Sequence, residues 1–275
     1  MSSLGANLTS ALDPTFFIDG MTGLLASNML VGLPANIYVV WLILSGTSGP
    51  VVSELFALNL AISEILFCCL SFYVMLHFLL KMSMAVGVVV LQVFLEIGFI
   101  SRPVFQTCIC LERYLAVVHP ILFIRFKPLR YRLVSCVFDW LLILLNVIFR
   151  AFVLSFDISV YFFIAKSLLF FFVLLYCGIS VLLVLKQPGP GDKVRNSENS
   201  NSMKRKAFKV IAVTLVFTSM TQLLQVTMLG PTILQPSLKL LLQVTLFSLA
   251  VNILSSFVTP LLFLQRAKKL VCIQI

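Results

Sequence analysis

The stretch VGVVVLQVFLEIGFISRPVFQTCICLERYLAVVHP, residues 86–120, decides how this chain is read. It stays apolar for longer than the ~20 residues that a helix needs to cross a bilayer. Yet it carries Glu96 and Arg102 in its interior and closes on Leu111, Glu112, Arg113 and Tyr114. Ionisable groups in a membrane span are costly and mark function by default. Working outward, comparable apolar runs recur along the chain, at residues 22–44, 54–80, 84–112, 133–153, 159–185, 207–229 and 239–264. The 275 residues are 60% hydrophobic and only 11% charged, against about 25% charged in an ordinary soluble protein. That balance excludes a soluble two-domain enzyme, and the 25 Phe residues exclude a disordered chain.

The expected fold is an all-α membrane protein, a seven-transmembrane helix bundle forming one domain over residues 1–275. Its parts are an N-terminal segment (1–21), the bundle (22–265), a mobile hydrophilic loop, QPGPGDKVRNSENSNSMKRK (187–206), and a tail (266–275). The opening MSSLGANLTSALDP is polar and lacks Lys and Arg, so it does not read as a signal peptide. Charge sets the orientation. Fifteen of the 20 basic residues lie at Arg113, between spans three and four, around the long loop, and after span seven. That side is expected to face the cytosol, with the N-terminus outside. Asn7, in Asn7-Leu8-Thr9, is then a glycosylation acceptor. The net charge of +10 needs no nucleic acid, because anionic lipid at the cytosolic leaflet suffices as its partner.

Glu64 lies about ten residues into span two from its cytosolic end, or ~15 Å at 1.5 Å per residue. Arg102 lies 11 residues before Arg113 in span three, or ~16 Å by the same rise. The two charges reach matching depth, and pairing is the cheapest way to hold both there. Such a pair either fixes helix packing or serves as a switch. Pro103 follows Arg102 and kinks the helix at that level. Arg113, Gln106, Arg102, Phe99 and Leu95 share one helical face, which should look into the bundle. Gln92 and Glu96 lie nearer the outer side, where they line an outward-facing cavity, or Glu96 pairs with a cation such as Lys166. Asp139 beside Trp140 reads as buried polar packing.

No acid–histidine cluster has metal-ligand spacing, and no hydrolase, zinc-protease or phosphate-loop motif occurs. The expectation is no enzyme, no cofactor and no metal. Six of the seven cysteines lie in apolar spans and Cys272 lies in the tail, so no disulfide is expected.

LERYLAVVHP (111–120) resembles the end of helix three in rhodopsin-like G-protein-coupled receptors, with Glu112, Arg113 and Tyr114 matching residue for residue. In that family the arginine is held by its acidic neighbour and then reaches toward the G protein. GLPAN (32–36) resembles the helix-one motif, with Asn36 as its polar anchor, and LNLAISE (58–64) the helix-two motif, with Glu64 in place of aspartate. Trp140 matches the helix-four tryptophan. KAFKVIAVTLVF (206–217) resembles the cytosolic half of helix six, and TPLLF (259–263) the helix-seven motif around Thr259 and Pro260. RAKKLVCIQI (266–275) resembles the short amphipathic eighth helix, with Cys272 as a palmitoylation site.

The chain also departs from the family. Val88 stands where the family has the outer cysteine, and Thr221 and Leu223 stand where helix six has its tryptophan and proline. Thr259 and Phe263 replace the helix-seven Asn/Asp and Tyr. Arg102 falls beside the helix-two acid, where relatives line a sodium site, and supplies the positive charge itself.

The resemblance implies a multi-pass receptor of the plasma membrane. It would couple an extracellular ligand to heterotrimeric G protein, and to arrestin, with Gln92, Glu96, Phe99 and Gln225 as candidate ligand-pocket residues. Leu95 replaces the aspartate of amine-binding relatives, so a lipid or peptide ligand is preferred, in the branch holding purinergic, lipid and protease-activated receptors. The alternatives are a receptor-like scavenger or partner that does not signal, and a seven-helix transporter or channel.

Overall fold

The structure is a computed structural model that describes residues 14–46, 51–80, 84–152, 156–186, 208, 211–227 and 238–266. Regular structure among the described residues is helical throughout. The first rod comprises α1 (Pro14–Ser27), a π-helical turn (Asn28–Gly32) and α2 (Leu33–Leu44). It begins ahead of the expected residue 22, with Pro14 in the first turn, where a missing N–H costs nothing. The π turn has a local cause. Pro34 lacks the N–H that would bond the carbonyl four residues back, and its ring crowds that carbonyl. Widening by one residue relieves the clash, and the Leu33 N–H closes on the Asn28 carbonyl instead.

A 3-10 turn (Val51–Glu54) leads into α3 (Leu55–Leu79), followed by α4 (Met84–Val118), α5 (Pro120–Phe126), α6 (Leu129–Phe152) and α7 (Phe156–Lys186). Then come α8 (Ile211–Thr227) and α9 (Leu238–Arg266). The third span runs beyond its expected end at residue 112, to Val118. Pro120 stops it there and starts α5. The fourth helix starts earlier than the expected residue 133, which draws Arg132 out of the loop and into α6, where it is buried.

Among the described residues, five helices are long and apolar enough to cross a membrane: Phe17–Leu44, Val51–His77, Val89–Val118, Leu129–Phe149 and Tyr161–Lys186. The apolar helices Ile211–Thr227 and Leu242–Val258 are shorter. The molecule is apolar outside and polar within. Leu30, Val134, Leu145 and Leu169 are exposed, whereas Asn28, Glu64, Arg102, Asn252 and Ser256 are buried. That inversion fits a lipid surround, in which association depends on packing and interior hydrogen bonds.

Small residues bring the central helices together. A Cβ on Gly98 would run into the ring of Phe67, and one on Gly178 would stand 2.6 Å from Leu215. The closeness of α3 and α4 lets Phe67 and Phe94 stack at 4.7 Å between ring centres. Met21, Leu25, Val74, Leu249 and Ile253 complete that core.

Candidate functional site

Two charges at matching depth in neighbouring helices invite a contact, and the structure places Glu64 and Arg102 in one. Arg102 Nε donates to Glu64 Oε1 and Nη2 to Oε2, both at 2.8 Å, a bidentate fork in which neither side chain is more than 5% exposed. Arg102 Nη1 turns to α9, donating to the Asn252 carbonyl and to its Oδ1 at 3.1 Å. Asn252 Nδ2 then donates to the Gly98 carbonyl at 3.0 Å. The guanidinium ties α3, α4 and α9 at the level where Pro103 interrupts the helix ladder. A planar donor fork is what makes this geometry available; an ammonium would reach one partner at a time.

A second polar node sits in the π turn. Asn28 Nδ2 donates to Ser71 Oγ at 3.1 Å, and Ser256 Oγ donates to Asn28 Oδ1 at 3.3 Å. The first rod, α3 and α9 are thereby linked again. Asn36, expected as a polar anchor, is buried and donates to the Gly32 carbonyl at 2.9 Å within its own rod. Trp140 Nε1 donates to Asn59 Oδ1 at 2.9 Å, joining α6 to α3. Asp139 accepts from the Cys108 thiol at 3.2 Å.

At the basic end, Glu112 pairs with Arg132 across α4 and α6. Arg132 also donates to the Val52 carbonyl and lies over the Phe123 ring at 5.9 Å. The family resemblance offers only Arg113 as the partner of Glu112; the early start of α6 supplies Arg132 as well. Tyr114 Oη and His119 Nε2 stand 3.2 Å apart, and the Tyr114 ring lies 5.8 Å from that of Tyr176. Arg113 lines a cavity of about 460 Å³ between α3, α4, α7, α8 and α9. Glu112, Lys127 and Arg132 also line it, with Asn36, Pro260 and Phe263 on its other wall.

The profile of the family "7 transmembrane receptor (rhodopsin family)" matches residues 35–263, most of the chain. The chain belongs to the rhodopsin family of seven-transmembrane receptors. It is similar to a purinoceptor of Gallus gallus, purinoceptor 8, at 28% identity over 120 residues, which are 42% of this chain and 33% of that one. G-protein coupled receptor 183 of Rattus norvegicus is 26% identical over 117 residues, 42% of this chain and 33% of the relative. Proteinase-activated receptor 3 of Rattus norvegicus is 28% identical over 120 residues, 42% of this chain and 32% of the relative. Each match covers about a third of the relative's length.

The candidate ligand residues of this receptor are dispersed. Of the two roles open to Glu96, the structure shows the pairing one. Lys166 Nζ donates to Glu96 Oε2 at 3.0 Å and to Asn146 Oδ1 at 3.1 Å, with its ammonium 5.2 Å from the Phe163 ring centre. Phe99 meets Phe163 edge-on at 5.9 Å. Gln225 is buried in α8. None of these three lines the cavity at the basic end. The side chains of Gln92 and Thr259, and all of Asn7, the loop 187–206 and Cys272, lie outside the described residues.

Asn28, Asn252 and Ser256 are members of the buried polar network that sequence reasoning does not single out. Asn252 and Ser256 sit four apart in an apolar span, a polar pair at helical spacing that marks an inward face. Asn28 carries no such signal, because its inward turn depends on the π turn. In α8, Thr221 stands at the expected tryptophan position, is buried and donates to the Thr218 carbonyl at 2.8 Å, while Leu223 faces outward.

Proposed function

We propose that this receptor spans the plasma membrane seven times, N-terminus outside. In this reading it transmits an extracellular signal to heterotrimeric G protein at its basic, cytosolic end. The observation that carries the reading is the cavity at that end, lined by Arg113 and closed on one side by the Glu112/Arg132 pair. Ligand binding favours an outward-tilted α8. The cavity then widens, and Arg113 meets the partner there. Arrestin would use the same face. The excess of Lys and Arg at this end supports its cytosolic assignment and its contact with anionic lipid. In this reading Cys272 is a palmitoylation site and Asn7 a glycosylation site.

A lipid or peptide ligand is preferred. Leu95 offers no carboxylate to an amine, and the partial likeness to a purinoceptor and a proteinase-activated receptor favours that branch. Glu96, with its Lys166 partner, is assigned with Phe99, Gln92 and Gln225 to the ligand pocket.

The test is ligand-free G-protein activation across the main subtypes at equal surface expression, parent against Arg113→Ala. Basal activity that vanishes in the variant supports coupling through Arg113. Activity that persists undiminished rules out that role.

A second reading, a receptor-like protein that binds without coupling, draws on Thr221 and Leu223 in α8, where the usual aromatic and kink are replaced. Ligand-stimulated internalisation without G-protein activation would favour it. A charge-conducting path gains no support from Glu64 and Arg102, because each is consumed by the other.

A further inference from the structure

Glu112 stands between two arginines, Arg113 next to it in the chain and Arg132 across the interface with α6. Glu112 and Arg113 are consecutive on α4, so their side chains leave the helix about 100° apart, and neighbours at that spacing do not face each other. Arg132 meets the carboxylate squarely, with Nη2 on Glu112 Oε1. Two further contacts fix its guanidinium. Nη1 donates to the Val52 carbonyl in the 3-10 turn ahead of α3, and the guanidinium carbon lies 5.9 Å from the Phe123 ring centre in α5. The α5 segment is itself tied back to α4, where Tyr114 Oη and His119 Nε2 stand 3.2 Å apart at the break between the two helices. The Arg132 side chain is 6% exposed. A cation so enclosed is held in place by its surroundings, and its attraction for a partner is little screened. By geometry, Arg132 is therefore the better placed of the two arginines to take Glu112.

We infer that Arg132 is a positioning residue for coupling: it competes with Arg113 for Glu112 and so leaves the arginine of the motif less tightly held. Competition for one carboxylate has a definite sign. Removing the Arg132 charge hands Glu112 to Arg113 and tightens the hold. A brake between α4 and α6 would act in the opposite sense, because removing it would loosen the two helices. The consequence for coupling rests on the role proposed above for Arg113; the competition for Glu112 does not.

The experiment uses the full chain in phosphatidylcholine nanodiscs and reads the melting temperature. Glu112→Gln and Arg113→Gln are made singly and together, in the parent and in Arg132→Gln. The non-additivity of the two melting shifts measures how strongly Glu112 holds Arg113. It should be larger in Arg132→Gln than in the parent. Arg132→Lys, which keeps the charge and loses the second arm, should fall between them. Should Arg132→Gln fail to fold, Phe123→Ala removes the ring beside the guanidinium without changing any charge, and should move the non-additivity the same way by a smaller amount. A merely structural role for Arg132 would lower the melting temperature and leave the non-additivity where it was, and that result overturns the proposal. Basal G-protein activation at equal surface expression supplies the sign. Arg132→Gln should lower it severalfold, and that loss should disappear in the Glu112→Gln background, where no carboxylate is left to compete for. Higher activity in Arg132→Gln marks a brake and overturns the proposal. If parent and variants are equally silent while the melting shifts behave as expected, the competition stands and the result counts against the coupling reading alone.

Discussion

Of the acid–base pairs among the described residues of this receptor, Glu64/Arg102 and Glu96/Lys166 are built differently. Glu64/Arg102 is a two-pronged fork whose third nitrogen is taken by Asn252, and both side chains are within 5% of complete burial. Glu96/Lys166 is a single ammonium contact backed by Asn146 and two Phe rings, with side chains 12–16% exposed. The first joins three helices and gives each nitrogen of its guanidinium an acceptor. The second joins helices nearer one edge and retains access to its surroundings. A charge pair deep in a bundle is tolerated only when every prong is answered. A pair with partial exposure keeps some solvation and tolerates a less complete set of partners.

The largest effect should come from breaking the inner pair. Glu64→Gln leaves Arg102 as a buried uncompensated charge, a cost of about 3–5 kcal/mol, and should abolish surface delivery. Replacing both, Glu64→Leu with Arg102→Met, should restore delivery in the same surface assay. Recovery by the double variant is what separates lost pairing from lost shape. Arg102→Lys comes next. It keeps the charge and loses the fork, at about 1.5–3 kcal/mol for a hydrogen bond to a charged group, read as reduced thermal stability of purified protein. Lys166→Met should cost only about 0.6 kcal/mol, the average for interior polar contacts between membrane helices. It should leave surface expression near parental while altering ligand response. If Lys166→Met proves as damaging as Glu64→Gln, the distinction between the two pairs fails. The smallest expected effect is none at all. Arg102 answers the Glu64 carboxylate with both prongs of its fork, so exchanging sodium for choline should leave ligand-free activity unchanged, and a sodium-dependent change would contradict that reading.

Much of the inner pair is legible in the residue order, because depth in a helix follows from counting residues. Glu64 and Arg102 reach the same level by a rise of 1.5 Å per residue, and an apolar surround leaves each no partner cheaper than the other. The alternative roles of Glu96 stay open at that level for a physical reason. Depth alone does not say which helix lies beside the carboxylate, and Lys166 becomes a neighbour only through the packing of α4 against α7. Arg132 reads as a loop residue in the sequence because its basic neighbours, Arg125, Lys127 and Arg130, mask the start of α6. Its burial against Glu112 is a contact between helices that no local pattern announces. Asp139 shows no partner in the sequence for a related reason, since its donor is a cysteine thiol, which reads as an apolar residue in a span.

By itself the sequence determined the solvent of this protein. Hydropathy is a property of each residue, so the apolar runs, the charges too costly to leave alone and the excess of Lys and Arg at one end need no knowledge of how helices meet. The Glu112-Arg113-Tyr114 motif and its neighbours, placed in that frame, identify the receptor family. What only the tertiary structure decided is partnership. The fork from Arg102 to Asn252, the Asn28 node created by a π turn, and the match of Glu112 with Arg132 all depend on the rotation and tilt of one helix against another. So does the cavity of about 460 Å³. Those angles are set by close approaches such as Gly98 on Phe67 and Gly178 on Leu215, interactions between residues far apart in the chain that exist only once the bundle has assembled.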